Sequence, residues 1–171
     1  MSRFGNMTQR RRNIALAVTV AATVGGVASC QAFDDDLRDL APTAAGAFDG
    51  AHATLILASR KGTDSILQVR GVDPAVAGQT FGAHLHLGPC VAGNGAAALG
   101  HYNHSGTTPA VVNDQTEIWL DVTIDARGNG RGASRVDWTP VAGARSVVIH
   151  ANPTAPDGTA GARLACLPVE W

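Results

Sequence analysis

Phe81-Gly82-Ala83-His84-Leu85-His86-Leu87 runs directly into Gly88-Pro89-Cys90, and its reading decides what kind of chain this is. Histidine and leucine alternate with period two, the repeat of a strand and not of a helix. A strand here puts both imidazoles on one face and Leu85 and Leu87 on the other. Gly88 and Pro89 then end it. Ser146-Val147-Val148-Ile149-His150 repeats the logic: Val147 and Ile149 point one way, Val148 and His150 the other. Each segment thus separates an apolar side from a histidine side.

Working outward, Ala51-His-Ala-Thr-Leu-Ile-Leu57 and Ser65-Ile-Leu-Gln-Val-Arg70 read as strands joined by the hairpin-type connection Arg60-Lys-Gly-Thr-Asp64. Ile118–Ile124 leads into the two-glycine turn Asp125–Gly130, which Gly132–Trp138 follows at once. Arg163–Leu167 is the last apolar run. No helical periodicity survives the Pro and Gly interruptions, and no internal repeat is visible. Seven or eight short strands with turns between them predict an all-β antiparallel sandwich or closed barrel over residues 51–171. Loops over residues 88–116 and 151–162 are long for such a fold, and long loops in small β domains hold function. Trp119 and Trp138 read as packing residues, and no role is assigned to Asp121.

The chain has 171 residues, 13 Lys+Arg and 14 Asp+Glu, and a net charge of −1. Nothing in that balance suits a nucleic-acid binder, which needs a basic excess, or a coiled coil, which needs sustained charged heptads. The charge is uneven, however. Arg3, Arg10, Arg11 and Arg12 precede every acid, so nine basic residues against fourteen acidic remain from Cys30 onward, a net of −5. A basic start, the apolar run Ile14–Ser29 and the ending Val27-Ala28-Ser29-Cys30 are similar to a bacterial lipoprotein leader over residues 1–29. On that reading Cys30 is lipidated, the protein is exported and lies outside the cytoplasm, and a lipid anchor holds it to the membrane. Ordinary cleavage near Ala28 is the alternative. The Arg11-Arg12 pair also resembles a twin-arginine export signal. Three cysteines in an exported chain leave one unpaired, and lipidation of Cys30 leaves the other two to pair. The acidic and Ala-rich stretch 30–50, with Asp34, Asp35 and Asp36, reads as a flexible tether.

Of the six histidines, His84, His86, His101 and His150 stand in informative places, His101 within Leu99-Gly-His-Tyr-Asn103. Imidazoles without a spare thiolate suit copper or zinc and not calcium or magnesium. His-x-His spacing alone does not decide that they converge.

Four blocks carry a more specific signal: Gly82-Ala-His84-Leu-His86-Leu-Gly88-Pro-Cys90, Gly100-His101-Tyr-Asn103, Ser146-Val-Val-Ile-His150-Ala and Gly161-Ala-Arg163-Leu-Ala-Cys166. In this order they resemble the copper/zinc superoxide dismutase family over residues 51–168. The resemblance implies the family's eight-stranded antiparallel Greek-key barrel, with Leu85, Val147 and Ile149 facing inward. It implies copper held by His84, His86, His101 and His150, and a disulfide between Cys90 and Cys166. It further implies superoxide as substrate, dioxygen and hydrogen peroxide as products, His101 as the residue that releases the metal and takes up a proton, and Arg163 as the anion-guiding residue.

The family's zinc site is incomplete. His104 stands where the family has a proline, and it is the one histidine between His101 and His150. His104 with Asp114 or Glu117 is all that remains for a vestigial zinc site, so copper without zinc is expected. Twelve residues separate His150 from Arg163, against a much longer charged loop in the typical member. Both departures resemble the family's copper-only branch, in which a carboxylate orients the bridging histidine. Glu117 is the candidate for that task, since a ligating imidazole needs its second nitrogen held. A copper-binding or buffering protein without turnover is the alternative that uses the same ligands.

Overall fold

A computed structural model describes residues 29–41 and 46–171; the leader and its export signals at 1–28 lie outside the described residues. The strand pattern builds a first sheet around the hairpin of β3 (His52–Ser59) and β4 (Thr63–Arg70), paired from His52↔Arg70 to Ser59↔Thr63. Alternation decides its faces: Ala53, Leu55, Leu57, Leu67 and Val69 are buried, while Asp64, Gln68 and Arg70 are exposed. Gly62 turns the hairpin at φ +94°, and a Cβ there would sit 2.2 Å from the Val136 carbonyl oxygen, so no other residue fits.

β8 (Gly130–Val136) completes one edge of this sheet and β1 (Ser29–Asp36) the other, giving the order β1-β3-β4-β8. β1 pairs with β3 from Ser29↔Ser59 to Asp36↔His52. The flexible tether expected over residues 30–50 is therefore corrected where residues 30–36 and 38–39 form strands. Asp34, Asp35 and Asp36 are exposed, as read, but they belong to an edge strand, on whose outer face Asp34 accepts from Thr54 and Asp36 contacts His52. Phe33, on the opposite face, packs on Trp171 with ring centroids 5.6 Å apart. Charges along an edge strand also deter pairing with other chains. Cys30 is exposed within β1, opposite Ala58.

After β1 the chain changes sheets. Leu37 N–H donates to Ala51, whereas β2 (Arg38–Asp39) pairs with Ala165 and Cys166, and Leu40 N–H donates to Leu164. Leu37, Leu40 and Phe48 are buried. The second sheet has the order β2-β10-β9-β6, with β6 (Ala83–His86), β9 (Ala144–His150) and β10 (Arg163–Glu170) all antiparallel. A two-stranded ribbon joins β5 (Thr80–Phe81) to β7 (Val122–Thr123). Leu55 and Leu67 from the first sheet share one core with Leu85, Ile149 and Leu167 from the second. This is an all-β fold of several sheets with one disulfide. Among the described residues, no hydrogen-bonded ladder joins the sheets into a ring, so the expected eight-stranded closed barrel appears as two four-stranded sheets and a ribbon.

The disulfide joins Cys90, just beyond β6, to Cys166 in β10 with Cα atoms 5.6 Å apart. Leu40, Ala98 and Val148 surround it in a small apolar cluster. Among the described residues, no helix is long and apolar enough to cross a membrane.

Candidate metal centre

β6 is buried on both faces because its two faces do different things. Leu85 enters the shared core, while His84 and His86 turn away from it with no solvent exposure. The β6–β9 register sets Ala83 opposite Ile149, and the His150 N–H donates to the Gly82 carbonyl, so His150 ends β9 beside the two histidines. His101 reaches the other edge of β6 by an isolated bridge to His86. One ring nitrogen from each of these four residues lies within 4.8 Å of the others. His84 Nδ1 is 3.0 Å from His101 Nε2, and His86 Nε2 is 3.3 Å from His150 Nε2.

The outer nitrogens settle what the inner ones present. His86 Nδ1 lies 3.2 Å from the Leu99 carbonyl and His150 Nδ1 3.2 Å from the Gly161 carbonyl. His101 Nδ1 lies 2.9 Å from Glu117 Oε2. Carbonyl and carboxylate oxygens only accept, so all three outer nitrogens carry the hydrogen, and in a neutral ring the Nε2 atom then keeps its lone pair for the centre. His84 is reversed: its Nε2 meets the Thr154 hydroxyl at 2.7 Å, leaving Nδ1 inward. Burial first, and then the charge of neighbouring histidines, pushes the His84 pKa down to about 2 and that of His86 to about 3. Burial likewise lowers that of His150. The inward nitrogens of His84, His86 and His150 are thus bare, and His101 Nε2 faces them. That arrangement fits a cation, and a set of four imidazoles fits copper or zinc.

Glu117 is almost wholly buried. Burial alone would raise its pKa, but N–H donation from His101, Trp119 and Asn103 outweighs it and holds the carboxyl below its ordinary value. Trp119 Nε1 donates to Oε2 at 3.0 Å and Asn103 Nδ2 to Oε1 at 3.1 Å. Arg163 donates from Nη1 to the Gly95 carbonyl and from Nη2 to that of Leu99. The Leu99 carbonyl therefore serves both Arg163 and His86. Leu99 adopts φ +60°, ψ −150°, a region normally left to glycine, and such strain is tolerated where surrounding contacts fix it. Positive charge on Arg163 contributes to the lowered pKa values of His86 and His150.

His104 and Asp114 do not join the cluster. Asp114 is exposed, and the His104 ring stacks on Trp138 at a centroid distance of 4.6 Å. The sequence reading passed over Thr154, and it named Asp121 and Asn103 without giving either a role in the site. It also missed that Trp119, taken as packing, donates to Glu117. Thr154 and Asp121 have no local motif, since Thr154 meets both His84 and Asp121 only through the fold.

No family model matches the chain, and no curated protein matches it. Among solved structures, the fold is similar to that of a double mutant of a SOD-like protein from Bacillus subtilis. The TM-score is 0.55 at 18% identity, over 81% of this chain and 97% of that one. At that identity the likeness establishes a shared fold.

Proposed function

We propose that this chain is an exported, copper-dependent superoxide dismutase that works without zinc, related in fold to the copper/zinc family and resembling its copper-only branch. One observation carries the reading: four inward imidazole nitrogens converge while the outer nitrogen of His101 is held by Glu117, a residue of the chain, where the family uses a second metal. His84 Nδ1 and the Nε2 atoms of His86, His101 and His150 would hold the ion. Bound copper would supply the one-electron couple by which one superoxide is oxidised to dioxygen and another reduced to hydrogen peroxide.

The residues of the chain do the rest. Glu117 stays ionised and keeps His101 Nδ1–H pointing away from the centre, so Nε2 is the atom that can bind metal or carry a proton. His101 is the ligand open to solvent, its side chain 20% exposed, and it is the residue that exchanges protons with water. Arg163 supplies local positive charge on a chain whose net charge from Cys30 onward is −5, and it positions the small anion. Lipidation of Cys30, with its thioether on the outer face of β1, would place the molecule at the membrane surface outside the cytoplasm.

The test is the dismutation rate per bound copper, measured on the full chain oxidised at Cys90–Cys166 and loaded with copper alone, beside His150→Ala and Arg163→Ala. A fast rate that disappears with His150 and falls with Arg163 is expected. Tight copper binding with a rate no better than a small copper complex would replace this reading with that of a copper-binding protein.

A further inference from the structure

We infer that Asp121 and Thr154 form a positioning relay that fixes which nitrogen of His84 faces the metal centre and seats the 151–162 loop against it. The direction of the relay follows from hydrogen counting. Thr154 has one hydroxyl hydrogen. Asp121 Oδ1 lies 2.5 Å from the Thr154 hydroxyl, and Oδ2 accepts the Thr154 backbone N–H at 2.9 Å. A carboxylate has no hydrogen to give, so the hydroxyl donates to Asp121 and its oxygen is left to accept from His84 Nε2 at 2.7 Å. His84 must then carry its hydrogen on Nε2 and present Nδ1 inward, the opposite of its three neighbours.

The same contacts anchor the loop. Asn152 accepts from the Gly82 N–H, and the loop closes on itself through Ala151 to Ala162 and Asn152 to Ala160. A Cβ at Gly82 would lie 2.9 Å from the Thr154 hydroxyl oxygen and 2.7 Å from Ala160 Cβ, so the loop rests directly on the strand that delivers His84. Thr154 belongs to this loop and Asp121 to the segment before β7, so the relay ties both to one ligand. Without the hydroxyl, the buried Nε2–H has no acceptor and the ring loses the contact that sets its angle.

This inference deepens the metal-centre reading and rests on it for the copper measurement alone. The first measurement is nitrogen-15 NMR of the imidazole groups in the metal-free full chain, with His84 assigned by the loss of its signals in His84→Gln. The relay requires hydrogen on Nε2 of His84 and slow exchange of that hydrogen with water. Thr154→Val should abolish the slow exchange and lower Cu(II) affinity about 10–100-fold, the usual effect of removing a group that holds a ligand. Thr154→Ser should restore both. Hydrogen on Nδ1 of His84 in the parent chain would overturn the relay, as would a Val variant indistinguishable from the parent or a Ser variant as impaired as Val. If Thr154→Val does not fold, the parent tautomer and the Ser variant still decide. A parent chain that binds no copper at all would defeat the functional reading, while the tautomer measurement would still decide the relay.

Discussion

Glu117 shows how one side chain can be chosen by its donors. Its two oxygens receive N–H groups from His101, Trp119 and Asn103, and a carboxylate is the one side chain of this size that accepts at every position. Glu117→Gln keeps the shape but exchanges one acceptor for an NH2 group. That group would face either Asn103 Nδ2 or the paired donors of His101 and Trp119. Leaving a buried donor unpaired costs about 1–3 kcal/mol. The expected result is a 10–100-fold loss of copper affinity in a competition titration, roughly the range seen when a group holding a ligand is removed. Affinity equal to the parent's would show that His101 does not depend on Glu117. The contact of Glu117 with His101 was legible through the resemblance to the copper-only branch, once the zinc residues were found missing. Thr154 was not, because a hydroxyl 70 positions from the imidazole it meets looks like any loop threonine.

β1 and β2 make the corresponding case for elements. Acidic composition concealed them, since period-two burial in β1 is shallow and the aspartates face water. Their contribution is nevertheless large. Burial of Leu37 and Leu40 is worth roughly 3–6 kcal/mol, and the eight-residue ladder on β3 adds to it. Whole domains are stable by about 5–15 kcal/mol. A chain beginning at Gly46 should therefore be marginal or insoluble, and one beginning at Ser29 should melt cooperatively; equal melting temperatures for the two would contradict this. The clasp on β1 also responds to pH. His52 Nε2 lies 3.0 Å from Asp34 and Nδ1 3.2 Å from Asp36, with Arg70 of β4 opposite in register. Hydrogen bonds that His52 donates to Asp34 first, and then to Asp36, raise the His52 pKa above 6.5. Thr54 first, and then His52, lower that of Asp34 below 3.8. The His52 contribution is complete below pH 6.5 and lost as pH rises through its folded pKa. The Asp34 contribution is present above pH 3.8 and lost as pH falls below that. Amide exchange in β1 should accelerate more than in β4 as pH rises from 6.5, and His52→Gln should remove that difference.

At the scale of the molecule, the β periodicity, both histidine strands and the cysteine pair were readable, because each depends on local alternation or on a block of matched residues. Sheet order was not, because it depends on which edges remain free once the hairpins form. Cys90–Cys166 is where these scales meet. It closes 76 residues of chain and pins the segment after β6 to β10. That segment offers the Gly95 and Leu99 carbonyls to Arg163, which stands three positions before Cys166, and the Leu99 carbonyl to His86. Restricting a loop of that length in the unfolded chain is worth about 4–5 kcal/mol in the chain-entropy model. With a urea slope of 1–3 kcal/mol/M, reduction should lower the unfolding midpoint by about 2 M. Copper affinity should fall as well, because His86 and Arg163 share a carbonyl on the loosened segment. Urea titrations of the oxidised chain, the reduced chain and Cys90→Ser separate the two effects. A lower midpoint with unchanged copper affinity would assign the disulfide to stability alone, and an unchanged midpoint would mean that the β10 contacts hold the segment without it.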